Sequence, residues 1–408
     1  MTVAKGINKT LAYKKQSALG TASSGSGGQL LRRMTSAFNV TKDTYSSNEI
    51  VSHQQDTDDQ YGLASSAATL NAELSGKTYQ DFIDSLVRKD RAAFSSIASL
   101  TLTIAASGSN YTITRSAGDF LTGGVKVGMV ITLAGGSLAA GNISKNLVVL
   151  DVTALVLTVA PLNSGSTLTA EGPIASCTVA AAGKFTYPPT SSHTNDYYTF
   201  EEYFTDLTRS HVYQDCQIAS VDVSMPTTGN VAVNFAITGL GSVSRTGSQV
   251  LTSPTAETST QIMSAVSGAI WIGTTRYSNV SSFSLKIDGQ VTGGEGVIGS
   301  NTRPDVNRGR IMVSGSITML HDGDTLTTAT FDAETATNIV IVLADARSDT
   351  ANAIAVSLPN VKFMSSELDD GEKQLVRSHN FNAGYYGSGG AAVKHNATIV
   401  QIHDTQAT

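Results

Sequence analysis

The 408 residues are 40% hydrophobic and only 15% charged, with 37 glycines, which supplies enough apolar material for two or three domains and points to β structure more than helix. A formal net charge of -6 argues against a protein that holds nucleic acid by neutralising its phosphates, though not against one along which nucleic acid slides. Cys177 and Cys216 lack metal spacing and imply no disulfide framework, the start of the chain has no secretory hydrophobic region, and no apolar run has the length of a membrane span, so the composition predicts folding in a reducing cytosol without export by a signal peptide.

Residues 1–33 set Lys5, Lys9, Lys14, Lys15, Arg32 and Arg33 around a Gly/Ser tract at 23–28, which predicts a flexible arm outside any core. From 34 to 41, Phe38 and Val40 alternate with Asn39 and Thr41, the period of a half-buried strand. A polar loop carrying Ser47, Asn48, Glu49, Ile50, Asp56 and Asp58 leads to a second strand over 62–74, where Leu70, Ala72 and Leu74 alternate with Thr69, Asn71 and Glu73. A helix is predicted over 78–94, because Tyr79, Phe82, Ile83, Leu86 and Val87 recur at helical spacing. Between 95 and 182 the acidic residues almost vanish and short β-branched runs alternate with Gly, Ser and Asn turns, the pattern of a small all-β module of Ig-like or SH3-like type. An aromatic and acidic patch follows, with Tyr197, Glu201, Glu202 and Phe204. The sharpest hairpin comes next: Val221, Val223 and Met225 alternate with Asp222 and Ser224, and beyond a turn at 226–230 Val233, Phe235 and Ile237 alternate with Asn234 and its neighbours. Residues 241–278, rich in Ser, Thr and Gly, read as a linker.

The chain then repeats itself. Gly62 falls on Gly309, Thr69 on Ser316, Leu70 on Ile317, Gly76 on Gly323 and Thr78 on Thr325, without a gap. Ile317 and Met319 alternate with Ser316 and Thr318; ahead of them Phe283, Leu285 and Ile287 alternate with Ser284, Lys286 and Asp288. A polar loop with Ile298, Asn301 and Arg303 matches the earlier loop, and residues 361–384 loosely match the hairpin. These boundaries predict copy one at 34–94 and 183–240, a module inserted at 95–182 on the outside and dispensable for assembly, and copy two at 279–408.

Motifs that suggest chemistry have plainer readings. Gly294, Gly296 and Gly299 fit a dinucleotide fingerprint in letters, but Pro304 and polar residues follow where a helix is needed. His321, Asp322 and Asp324 fall in the turn that matches Leu74 to Lys77, and Asp56, Asp58 and Asp59 lack the distal Glu of a calcium loop. No nucleophile elbow occurs, so neither an enzyme nor a cofactor or metal is expected.

Residues 14–33 (K-K-Q-S-A-L-G-T-A-S-S-G-S-G-G-Q-L-L-R-R), 44–62 (T-Y-S-S-N-E-I-V-S-H-Q-Q-D-T-D-D-Q-Y-G) and 69–88, together with the later F-S-L-K-I-D, V-I-G-S-N and M-V-S-G-S-I-T-M-L, resemble the tail tube proteins of long-tailed, non-contractile bacteriophages. The double length resembles the subfamily in which two tube domains are fused. The resemblance implies a mainly β fold of two tandem tube domains of sandwich or barrel type, each with a short helix, plus the small β insert. It further implies rings stacked into a hollow tube that conducts the genome during ejection, in a virion whose tail is assembled in the host cytoplasm. Three chains per ring, with approximate six-fold symmetry, would follow from the duplication. The partners implied are further copies of the chain, the tape measure, tail terminator and distal tail proteins, and double-stranded DNA in transient passage, with no membrane. Alternation then predicts a lumen-facing set of Asn39, Thr41, Thr69, Asn71, Glu73, Asp222, Ser224, Asn234, Ser284, Asp288, Ser316 and Thr318. Ring-stacking contacts are predicted from Ser47, Asn48, Glu49, Ile50, Asp56, Asp58, Ile298, Asn301 and Arg303. A β-rich tail adhesin is the alternative, suggested by the Ser, Thr and Gly content, and a hydrolase stays open because catalytic residues assemble from distant positions.

Overall fold

The computed structural model describes residues 3–408 and is mainly β. Met1 and Thr2 of the predicted arm lie outside the described residues. Eight strands make the principal layer: β1 (Thr35–Tyr45), β2 (Gln60–Glu73), β3 (Arg209–Met225), β4 (Ala232–Gly239), β5 (Val280–Asp288), β6 (Met312–Leu320), β7 (Ala353–Phe363) and β8 (Val376–Ala383). They pair antiparallel in the order β1, β2, β4, β3, β5, β6, β8, β7. The second four strands therefore repeat the first four in order, and β3 joins β5 where the copies meet. Registers repeat too. Ser36 lies opposite Leu70, and Phe283 opposite Ile317, each residue 247 positions further on. The one-residue shift that sets Thr44 opposite Tyr61 recurs, at the same displacement, where Val291 meets Arg308 in the ribbon Val291–Gly293 and Val306–Arg308.

One face of this layer is largely apolar, because most of its strands keep the period of two. Leu70, Phe235, Val221, Ile287 and Val313 are buried side by side across five strands. Against them packs a second layer: helix α1 (Gln80–Val87), the strands Tyr198–Phe204 and Thr337–Ala344, and the strand Gln401–Asp404. All five residues of the predicted helical stripe are buried. In copy two the matching segment, Thr327–Asp332, is a short π-type turn with Ala329 in the place of Phe82, so it lacks the aromatic anchor that docks α1.

Two predicted connectors are core elements instead. Lys9–Lys15 pairs with Tyr198–Phe204 and buries Leu11 and Tyr13 against Phe82 and Phe200. Ala269–Ile272, inside the predicted linker, pairs with Thr337–Ala344 and is buried at every position. Each is the opening strand of its own copy. The arm was disguised by its charges, since Lys9 pairs with Glu202 at 2.6 Å and Lys15 with Asp196 at 2.9 Å, leaving only a three-residue apolar run between them.

The insert is a closed six-stranded barrel: Ile97–Ser107, Asn110–Arg115, Val156–Pro161, Leu147–Val152, Val130–Gly135 and Glu171–Ala180. It is no satellite. Its core runs on into Ala269, Trp271, Val340, Val342, Ala344, Ala353 and Ala355 on the outer face of copy two, whose alanines let the barrel approach closely. Thr337–Ala344 thus has the eight-stranded layer on one face and the barrel on the other, which explains its unbroken apolar run. Lys126 of the barrel donates to the carbonyls of Gly390, Ala391 and Val393 at 2.8, 2.6 and 2.5 Å, and burial pushes its pKa down to about 8. His403 accepts from the Val130 N–H at 3.0 Å and bonds the Ala182 carbonyl at 2.9 Å, which sets its proton on Nε2.

Candidate functional site: the polar sheet face and its open edges

The other face of the eight-stranded layer has no second layer on it. Its side chains form polar rows. One row crosses all eight strands as Thr35, Asn71, Asn234, Asp222, Lys286, Ser314, Asn382 and Lys362. Another runs Glu73, Ala232, Ser224, Ser284, Ser316 and Asn380. All twelve residues predicted for the lumen, from Asn39 to Thr318, are exposed or half-buried and lie on this face, opposite Leu70, Phe235 and Leu285. Neighbouring strands satisfy one another's polar groups. Asn71 donates to the Thr35 hydroxyl at 2.9 Å, the Thr41 and Ser65 hydroxyls stand 2.8 Å apart, those of Ser284 and Ser316 also 2.8 Å, and Asn230 donates to Glu73 at 2.7 Å. Such rungs keep short side chains flat against the sheet.

Charge on the face is sparse, and at its centre it is balanced locally. Lys286 is opposite Asp222 in the ladder and 3.9 Å from Asp288. Partial burial raises the Asp222 carboxyl above its usual range; Lys286 opposes that rise and Asp288 adds to it. A lysine held between two carboxylates offers little free positive charge to a polyanion.

The edges of the layer are open. Among the described residues β1 pairs only with β2, whereas its counterpart β5 pairs with both β6 and β3. At the far end, Lys362, Phe363 and the short strand Glu367–Leu368 pair, among the described residues, only with β8, whereas their counterpart in β3 pairs with both β4 and β5. Met364 and Leu368 are left 59% and 46% exposed along that edge, the mark of a surface that lacks a partner. The two open edges are the counterparts of the two strands that join in the middle of the chain.

The two long loops behave differently. Ser47, Asn48, Glu49, Ile50, Asp56 and Asp58 are all exposed. In copy two, the Asn301 carbonyl instead accepts from the Ala64 N–H at 2.8 Å, and Arg303 donates to the Ala64 carbonyl at 3.2 Å and approaches Asp43 at 4.0 Å. Asn301 and Arg303 therefore clamp copy two onto copy one, and Ile298 stays exposed at the loop tip. The glycines of the apparent dinucleotide fingerprint lie in this same loop, between two strands and before no helix. Asp324 is spent on Arg377 at 2.9 Å, and among the described residues no group of three His, Cys, Asp or Glu side chains is placed to hold a metal ion.

A two-fold-repeated sheet with one core face, one hydroxyl- and amide-lined face and complementary open edges is the form of a wall segment. The family model for the phage tail tube protein matches residues 6–383. The chain belongs to that family. A search of curated proteins finds no match. As a tail tube protein it is a structural subunit that assembles with itself in a phage tail, and the family is not a class of enzymes. Family membership also makes it a virion component.

Sequence reading missed part of the polar face. Ser314, Lys362, Ser378, Asn380 and Asn382 extend its rows, and the three in β8 escaped because that strand has polar residues in both phases, with Arg377 and His379 on the apolar side. His379 is fully buried beside Phe363, in the place of Phe235. The displacement that carries Phe235 to His379 is the signal that would have found the strand.

Proposed function

We propose that this chain builds the tube of a long, non-contractile phage tail, with three chains closing head to tail into a ring of six homologous domains. The observation that carries the reading is the match between edges: the β3–β5 junction inside the chain shows how one copy joins the next, and the outer edges present the same two strands unpaired. Closing the ring in that way pairs every long edge, which removes an aggregation hazard. Rings stack into a hollow tube that conducts double-stranded DNA during ejection.

In this arrangement the polar face is the lumen, lined by Asn39, Thr41, Thr69, Asn71, Glu73, Asp222, Ser224, Asn234, Ser284, Asp288, Ser316 and Thr318. Short hydroxyl and amide side chains with a slight excess of carboxylates let phosphates pass without a deep electrostatic trap. The bare tips at Ile50 and Ile298 project toward the adjoining ring. The tape measure protein would occupy the lumen before DNA, and terminator and distal tail proteins would cap the two ends of a tube assembled in the host cytoplasm. The mass of isolated rings, or a reconstruction of the tube, tests the reading. Three chains per ring is the expected result, and six would mean that copy two does not build the wall.

A further inference from the structure

The two copies differ most at their long loops, and the repeat explains the difference. Loop 293–306 of copy two reaches back across β3 and β4 to β2 of copy one, where Asn301 and Arg303 bond the two sides of Ala64 and Gly296 packs on Leu63. Its counterpart, loop 46–59, springs from β1, the open edge, and has no copy of β3 and β4 beside it within the chain. Almost every residue in it is exposed, Ile50 completely.

We propose that loop 46–59 of each chain docks sideways on copy two of the neighbouring chain, as loop 293–306 docks on copy one of its own. The proposal rests on the ring reading above and adds a specific contact to it. Displacement by 247 residues converts the pairs seen within the chain into pairs between chains. Gly296 on Leu63 becomes Glu49 on Arg310 of the neighbour, and the Asn301–Ala64 bond becomes the Gln54 carbonyl on the Ile311 N–H of the neighbour. Chemistry supports the transfer. The loop carries Glu49, Asp56, Asp58 and Asp59 with no lysine or arginine, while its landing surface carries Arg88, Arg308 and Arg310. Arg88 and Arg308 are already engaged, with the Gly289 and Gly309 carbonyls and with Gln217, Thr194 and Asp196, which leaves exposed Arg310 to meet the loop. The Ile311 N–H has no main-chain partner among the described residues, whereas its counterpart at Ala64 does. Opposed charges at the two positions also favour the neighbour over a wrong register.

Disulfide trapping in assembled tubes tests it, since Cys177 and Cys216 are buried and do not compete. Leu63→Cys with Gly296→Cys should give a cross-link within one chain and serves as the control. Glu49→Cys with Arg310→Cys should give covalent trimers on a denaturing, non-reducing gel and nothing larger. Tubes that form without an interchain link, or a ladder running past three, would overturn the proposal, the latter by placing the loop on the next ring. If the cysteine variant does not assemble, charge reversal decides: Glu49→Arg and Arg310→Glu should each lower tube yield several-fold and restore it in combination. Single variants that assemble like the parent would reject the contact. Wild-type rings of other than three chains would sink the ring reading itself, whatever the cross-links show.

Discussion

Leu70 and Asn71 are consecutive in one strand and answer to opposite demands. Leu70 is fully buried between Ser36 and Phe235, and Asn71 faces the polar side, bonded to Thr35. Leu70→Ala should cost about 2–5 kcal/mol in urea unfolding, while Asn71→Ala should change stability by less than about 1 kcal/mol. Equal losses at the two sites would mean that both faces of the sheet are packed. A second residue-scale prediction concerns acid. Burial holds His403 below its ordinary pKa, with the Ala182 carbonyl and Asp404 opposing that shift and Arg91 adding to it; burial first, then Lys394 and Lys126, push His395 down to about 4. Both are neutral in the folded chain, so their contribution is present above the unfolded value of about 6.5 and is lost as pH falls, at up to about 1.4 kcal/mol per pH unit per site. His403→Gln keeps an acceptor and a donor without the titration. Denaturant midpoints at pH 7 and pH 5 should therefore differ less for that variant than for the parent, and an unchanged difference would assign the acid limb elsewhere.

At the scale of elements, alternation in β1, β2, β4, β5 and β6 was legible because one face of each is buried and one is wet. The opening strands Lys9–Lys15 and Ala269–Ile272 were not, because the first is framed by lysines with buried partners and the second lies in a tract of loop-like composition. The insert was legible as a module, but not its place, since nothing local says which surface a barrel will cover. Its apolar contact with copy two reverses the expectation that it is dispensable. A variant joining Phe94 to Gly183 by a flexible linker uncovers Trp271, Val340 and Val342, all fully buried at present. That variant should give aggregated or poorly soluble chains on size exclusion, and normal tubes from it would show that the barrel is only attached. The candidate site was half legible for a related reason: the polar face follows from alternation, whereas the clamp of Asn301 and Arg303 depends on where a loop lies in space.

For the whole molecule, the polar face predicts a transport property. Asp222→Lys and Glu73→Lys, neither of which touches the apolar core, should leave tube assembly intact and slow DNA release, with the delay shrinking as salt rises. Release at the parental rate in low salt would place these residues outside the DNA path. The repeat within one chain also leaves its two halves free to differ. In the proposed ring only one junction per chain meets another molecule, so copy two can have a π-type turn in the place of the helix and copy one can carry a barrel without either feature being forced on the other.

The β3–β5 junction has a kinetic meaning as well. Half of the seams in the proposed ring close when a chain folds, at the high effective concentration of a tethered partner, and the remaining seams wait on bimolecular encounter. A defect at the inner seam should therefore appear as an unstable chain at any dilution, and the same defect at the outer seam as a stable chain with a higher critical concentration for polymerisation. Dilution thus separates the two seams, although their strands share one register.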